Sequence, residues 1–214
     1  MGKPFFYSFR SGLGINFLSL FSYYLSSPFN LLILFFKKSQ LNMAVSMIIV
    51  LKIACSGMTA GIYFSSKSKK QGFSIVMISM AYALSSYMVG YCWNVMWLDA
   101  IMIFPIIMMG LERLIEKKDG RLYCIALFYA LYCNYYIAFM ICIFAVIWYL
   151  LYSFKSIKQF FFRGIAFAFY SFLAAGMAAI LLIPAYMGIK QTASGETMQL
   201  PEHSFLRSEE RRVG

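Results

Sequence analysis

One carboxylate, Asp99, stands in the stretch WNVMWLDAIMIFP, beside the tryptophans Trp93 and Trp97 and ahead of an apolar run. An acid so placed has two uses. At the start of a membrane helix it can cap free backbone N–H groups and favour the positive end of the helix dipole. It can also face a polar ligand at the mouth of that helix, with Asn94 beside it and the word Asn134-Tyr135-Tyr136 further along the chain. Together these residues supply acceptors, donors and flat rings, the equipment for holding a sugar or a lipid phosphate. Trp93 and Trp97 also fit an interfacial aromatic belt, which needs no ligand. A second charge, Lys52, lies inside another apolar run, where a lysine is either functional and paired or snorkels to the interface.

The elements that position these residues follow from composition. The 214 residues are 62% hydrophobic and 13% charged, against roughly 25% charged in a soluble domain. This is the composition of an integral membrane protein, and the fold class it implies is an all-α polytopic helical bundle. A formal net charge of +11 could suggest nucleic acid. The basic residues, however, come in short clusters between apolar runs of about 16 to 25 residues, the length a helix needs to cross a bilayer. The charge therefore reads as topology, and no nucleic-acid partner is expected. Cys55, Cys92, Cys124, Cys133 and Cys142 have no metal-ligand spacing, so they read as packing residues and no metal is expected.

Six spans are expected, at about 41–65, 73–91, 96–112, 122–134, 136–153 and 164–187, forming a bundle over 41–187. The stretch Leu122 to Tyr152 reads as a tight hairpin broken at Asn134-Tyr135-Tyr136, or else as one long crossing. Lys67, Lys69 and Lys70, then Arg113, Lys117, Lys118 and Arg121, then Lys155, Lys158 and Arg163 form three clusters, which the positive-inside rule places in the cytoplasm. Both chain ends, the Trp93 to Asp99 apex and the Asn134 apex then share the outer face. Residues 1–40 read as an outer-face interfacial helical segment, with a Pro-broken span as the alternative. Gly12 and Gly14 offer turns, Ser27-Pro28 a break, and Leu18, Phe21 and Leu25 a helical spacing. Gly57 and Gly61 have the small-xxx-small spacing of close helix packing.

The phrases YSFRSGLGINFLSLFSYYLSSPFNLLILFF, AYALSSYMVGYCWNVMWLDAIMIFPIIMMGLERLIE and CNYYIAFMICIF resemble the YfhO family of bacterial membrane proteins. The resemblance covers nearly all of residues 4 to 190, with the GLG, SPFN, WN-x-x-WLD and NYY words in order. It implies a likeness to the GT-C class of multi-span glycosyltransferases. The implied activity takes a sugar from a polyprenyl-phosphate carrier on the outer face and places it on lipoteichoic acid or a related cell-envelope polymer. The implied partners are membrane lipid, the lipid-linked sugar donor and the polymer acceptor. In that chemistry a carboxylate removes the acceptor hydroxyl proton while the lipid phosphate leaves, and positive charge or N–H donors meet the departing phosphate. On the matching words, Arg10 is the implied phosphate ligand, Trp97, Tyr135 and Tyr136 are aromatic surfaces for the sugar, and Asn94 and Asn134 are polar contacts. Asp99, the acid within the apolar body of this chain, is the candidate carboxylate.

Two departures from the family pattern shape that expectation. An initial span with an acidic loop normally precedes the YSF-x-x-GLG word, so the chain reads as a fragment whose catalytic acid lies upstream, leaving Asp99 as a second member of the site. At the other end, 188–206 read as the start of an outer loop. Residues 207–214, RSEERRVG, resemble a translated sequencing adapter and read as non-native. Two other function classes stay open. A lipid or solute transporter would show discontinuous helices and charges deep in its spans. A membrane scaffold without chemistry would suit the scarcity of acids.

Overall fold

A computed structural model describes residues 7–8, 15–16, 21, 24–68, 72–117, 119–152 and 157–190. The main helices are α1 (Leu41–Lys67), α2 (Phe73–Ala83), α3 (Ser86–Gly90), α4 (Val95–Lys117), α5 (Arg121–Cys133), α6 (Tyr135–Tyr152) and α7 (Ile157–Lys190). Their apolar composition dictates helix, since in lipid each backbone N–H and C=O needs a partner within its own segment. Five stretches are long and apolar enough to cross a membrane: Lys38–Lys67, Phe73–Gly90, Val95–Lys117, Tyr135–Tyr152 and Phe160–Tyr186. The remaining helix, α5, has 13 residues. At 1.5 Å per residue it covers only about 20 Å of a hydrocarbon core of about 30 Å. The protein is an all-α polytopic membrane protein.

Side-chain contacts fix the direction of each helix. Ideal β-carbons on Gly57 and Gly61 would touch Ala83 and Ser79, so α2 runs antiparallel to α1. Lys52 meets Asp99 and Tyr63 meets Glu112, so α1 and α4 run in parallel. Tyr129 reaches Asp99 while Tyr123 lies against Gly110, which makes α5 antiparallel to α4. The pairs Trp97 with Tyr136, Phe104 with Phe144 and Glu116 with Tyr152 carry α6 back alongside α4. The chain thus reverses at Asn134, and α5 and α6 form a hairpin. The bundle has an Asp99 end and a Glu112 end, with Lys67, Lys117 and Arg121 gathered at the second.

Helix α4 is the centre of the bundle, with Leu98, Ala100, Ile107, Leu111, Leu114 and Ile115 all buried. Its glycine has a packing role. A β-carbon on Gly110 would lie 2.5 Å from the Tyr123 backbone nitrogen, so only glycine lets α4 and α5 approach this closely. Around it Tyr149 stacks on Phe167 with ring centroids 5.0 Å apart, and the Tyr123 and Ser171 hydroxyls share a hydrogen bond of 3.0 Å. These contacts seat α7 on the α5–α6 hairpin.

The helices differ in places from the expected spans. The 73–91 stretch is not one helix: α2 ends at Ala83 and α3 restarts at Ser86. Helix α4 runs on to Lys117 because hydropathy stops where charge begins, whereas backbone hydrogen bonding does not. In the 1–40 stretch, expected to be helical, Tyr7–Ser8 pairs antiparallel with Ile15–Asn16 and Pro28–Phe35 forms a 3-10 helix. One helical bond, Leu25 N–H to the Phe21 carbonyl at 2.9 Å, spans two of the residues expected at helical spacing. Among the described residues, all five cysteines are free thiols, and Cys124 and Cys133 are buried.

Candidate functional site

Asp99 lies one turn inside α4, which begins at Val95, so the expectation that it caps the helix is corrected. Its side chain is turned instead into the bundle. Lys52, from the middle of α1, places its Nζ 2.6 Å from Asp99 Oδ2, and both side chains are fully buried. The same Nζ donates to the Val95 carbonyl at 2.9 Å and lies 5.6 Å from the centre of the Phe29 ring. Asp99 Oδ1 accepts from Ser27 Oγ at 3.0 Å and from Tyr129 OH at 3.3 Å. Two lone charges of opposite sign, each expensive in a bilayer, have neutralised one another.

The Ser26–Phe29 segment forms a strap over this pair. Ser27 caps the 3-10 helix, its Oγ accepting from the Phe29 N–H at 3.3 Å while donating to Asp99. Pro28 follows at the first helical position, where its missing N–H costs nothing. The neighbouring Ser26 Oγ donates to the Cys133 carbonyl at 2.9 Å. Both serines are 4% exposed.

Asn134 sits at the apex of the α5–α6 hairpin and is fully buried. Its Oδ1 accepts from the Ile137 N–H at 3.0 Å, the N-cap bond that starts α6. The cap turns Nδ2 the other way, and that buried donor has no hydrogen-bond partner. Nearby, aromatic rings form a chain: Tyr87 to Tyr91 at 5.2 Å, Tyr91 to Trp97 at 5.9 Å and Trp97 to Tyr136 at 6.3 Å between centroids. Tyr136 and Trp93 are exposed, Tyr135 is half-buried, and Asn94 is buried with its carbonyl accepting from the Trp97 N–H at 2.9 Å.

Of the residues expected at a site, Asp99, Asn94, Trp97, Asn134, Tyr135 and Tyr136 all lie at the Asp99 end of the bundle. Arg10 lies outside the described residues. The words SPFN, WLD and NYY, far apart in sequence, therefore meet in one place. The family model described as Bacterial membrane protein YfhO matches residues 2–206. This chain belongs to the YfhO family. No curated protein and no solved structure matched this YfhO-family chain. What the family pattern leaves unsaid is the pairing: Lys52, Ser27 and Tyr129 were not expected as partners of Asp99. The signal for Lys52 was present, because a lysine and an aspartate each alone in apolar runs need a counter-charge.

A second polar cluster closes the opposite end. Glu112 accepts from Tyr63 OH at 3.0 Å and pairs with Lys67 at 2.6 Å, while Tyr152 OH donates to Glu116 at 2.7 Å. Lys67 Nζ lies 5.7 Å from the centre of the Tyr152 ring. These contacts tie α1, α4 and α6 together where the basic residues gather. Among the described residues no group of His, Cys, Asp and Glu is arranged to hold a metal ion.

Proposed function

We propose that this YfhO-family chain belongs to a membrane enzyme that moves a sugar from a polyprenyl-phosphate carrier to a cell-envelope polymer such as lipoteichoic acid. The observation that carries this reading is the convergence of the SPFN, WLD and NYY words on one end of the bundle. There a buried ion pair, an unpartnered amide donor and a run of aromatic rings lie together. Aromatic faces suit the apolar face of a sugar, and the amide suits one of its oxygens. The end holding Lys67, Arg113, Lys117 and Arg121 is the cytoplasmic one by the positive-inside rule, which puts the Asp99 end outside, where a lipid-linked sugar is used. A cysteine at the exposed Trp93 position tests this: labelling by a membrane-impermeant thiol reagent from outside supports it, and labelling only from inside overturns it.

Asp99 serves this site as a positioning residue. A general base needs to reach the acceptor hydroxyl, and the Asp99 carboxylate is enclosed by Lys52, Ser27 and Tyr129. It holds Lys52 and the Ser27 strap in place, while the base that takes the acceptor proton comes from elsewhere in the enzyme. The intact protein in liposomes, given radiolabelled polyprenyl-phosphate hexoses and polymer acceptor, is expected to transfer label to polymer. Carrier that loses no sugar would sink the enzyme reading.

One observation favours a transporter: a buried ion pair that draws on the middle of α1 and a pass broken at Leu84–Ser85 are features of substrate-moving folds. The same liposomes discriminate, because a transporter moves the lipid-linked sugar between leaflets with its glycosidic bond intact.

A further inference from the structure

The strap offers more than a cover. Its two consecutive serines each donate a hydroxyl hydrogen to an acceptor of the bundle, Ser27 to Asp99 Oδ1 at 3.0 Å and Ser26 to the Cys133 carbonyl at 2.9 Å. These are long-range contacts, 72 and 107 residues apart in sequence, made by neighbours whose Cα atoms are about 3.8 Å apart. The Cys133 carbonyl is a natural acceptor here. It belongs to the last residue of α5, where a helix leaves its final carbonyls without intrahelical donors. The next residue, Asn134, carries the buried Nδ2 donor that nothing in the strap meets.

Two acceptors filled by hydroxyls, with an unfilled donor at the adjoining residue, are the polar complement of a polyol. Each hydroxyl of a sugar ring both donates and accepts. A sugar in place of the serines would give its hydrogens to Asp99 and Cys133 and an oxygen to Asn134 Nδ2, satisfying one more buried group than the strap does. We propose that the Ser26–Ser27 hydroxyls occupy a sugar-hydroxyl subsite at this end of the bundle, so that the strap is a displaceable internal competitor for the sugar of the donor. A phosphate fits these groups poorly, because the Asp99 carboxylate and the Cys133 carbonyl are both acceptors with no hydrogen to give it. The inference rests on the glycosyltransferase reading and names which part of the donor this end of the bundle receives.

Removing the competitor then helps the ligand. In the intact protein in nanodiscs, Ser26→Ala with Ser27→Ala is expected to bind polyprenyl-phosphoglucose at least about fivefold more tightly, the value of roughly one net hydrogen bond. Ser27→Thr, which keeps the hydroxyl, is expected to bind as the unaltered protein does. A structural brace predicts the opposite for the double variant, so unchanged or weaker binding overturns the proposal. A second measurement does not depend on that variant folding well. Cysteine at Ser26 is expected to react faster with a small maleimide when polyprenyl-phosphoglucose is present, and a rate unaffected by saturating ligand overturns displacement of the strap. Failure of the unaltered protein to bind any polyprenyl-phosphate hexose would instead strike the glycosyltransferase reading.

Discussion

Replacing Lys52 with methionine removes the charge from a pair that stands 2.6 Å apart with neither side chain exposed. At that separation and an effective dielectric constant of about 20, the mutual attraction is about 6 kcal/mol. Desolvating each ion costs several kcal/mol, so the pair as a whole contributes little net stability. Half a pair is another matter. Lys52→Met strands the Asp99 carboxylate and Asp99→Asn strands the Lys52 ammonium, and each is expected to destabilise the bundle by about 3–5 kcal/mol. The double variant strands neither. The amide oxygen that Asp99→Asn introduces still accepts from Ser27 and Tyr129, and the methionine fills the lysine's channel beside Phe29. The double variant is therefore expected to lie within about 1 kcal/mol of the unaltered protein, the size of a neutral hydrogen-bond adjustment. Reversible unfolding in mixed micelles, followed by tryptophan fluorescence, measures all four corners of the cycle. Single-variant losses that simply add, with a coupling below about 2 kcal/mol, would refute the claim that the two charges neutralise one another.

Other outcomes follow from the packing and the caps. Gly110→Ala drives a β-carbon to 2.5 Å from the Tyr123 nitrogen and is expected to cost about 3 kcal/mol in the same unfolding assay, whereas Gly176→Ala, with nothing within 4 Å, is expected to be neutral or slightly stabilising. Asn134→Ser keeps an oxygen for the α6 N-cap and deletes the orphan donor. Stability is expected to stay within about 0.5 kcal/mol while affinity for polyprenyl-phosphoglucose falls about fivefold, and Asn134→Ala is expected to lose about 1 kcal/mol of stability as well. Glu112→Gln removes the charge that pairs with the half-exposed Lys67 and is expected to cost about 1 kcal/mol or less, measurably less than either change at the buried pair.

Much of the bundle is legible in the sequence because lipid imposes a single rule. Apolar runs of spanning length form helices, and basic clusters mark one end. The reversal at Asn134 is legible for the same reason, since an asparagine between two apolar runs is both a break and a cap. The break at Leu84–Ser85 is hidden, because Phe73–Gly90 as a whole stays apolar enough to read as one crossing. The ladder joining Tyr7–Ser8 to Ile15–Asn16 is hidden too, as strands of two residues carry no period to detect. At the site, sequence order alone brings Asp99 and Asn134 to one face. It does not show that α1 lies in parallel against α4, which is what delivers Lys52 to Asp99, nor that Ser27 folds over the pair. Those contacts depend on tertiary packing. Ser27-Pro28 reads only as a break until the residues it covers are known.

The central claim is that the Asp99 end of the bundle serves the transfer of sugar to an envelope polymer. The Lys52→Met, Asp99→Asn double variant tests it most directly, because it separates the site's function from its stability. Placed in the intact gene and confirmed at normal protein level in the membrane, it is expected to lower the sugar on the cell-envelope polymer severalfold, because a neutral amide holds a sugar hydroxyl less firmly than a carboxylate does, measured by composition of the purified lipoteichoic acid. Polymer carrying its full complement of sugar in that strain would contradict the claim.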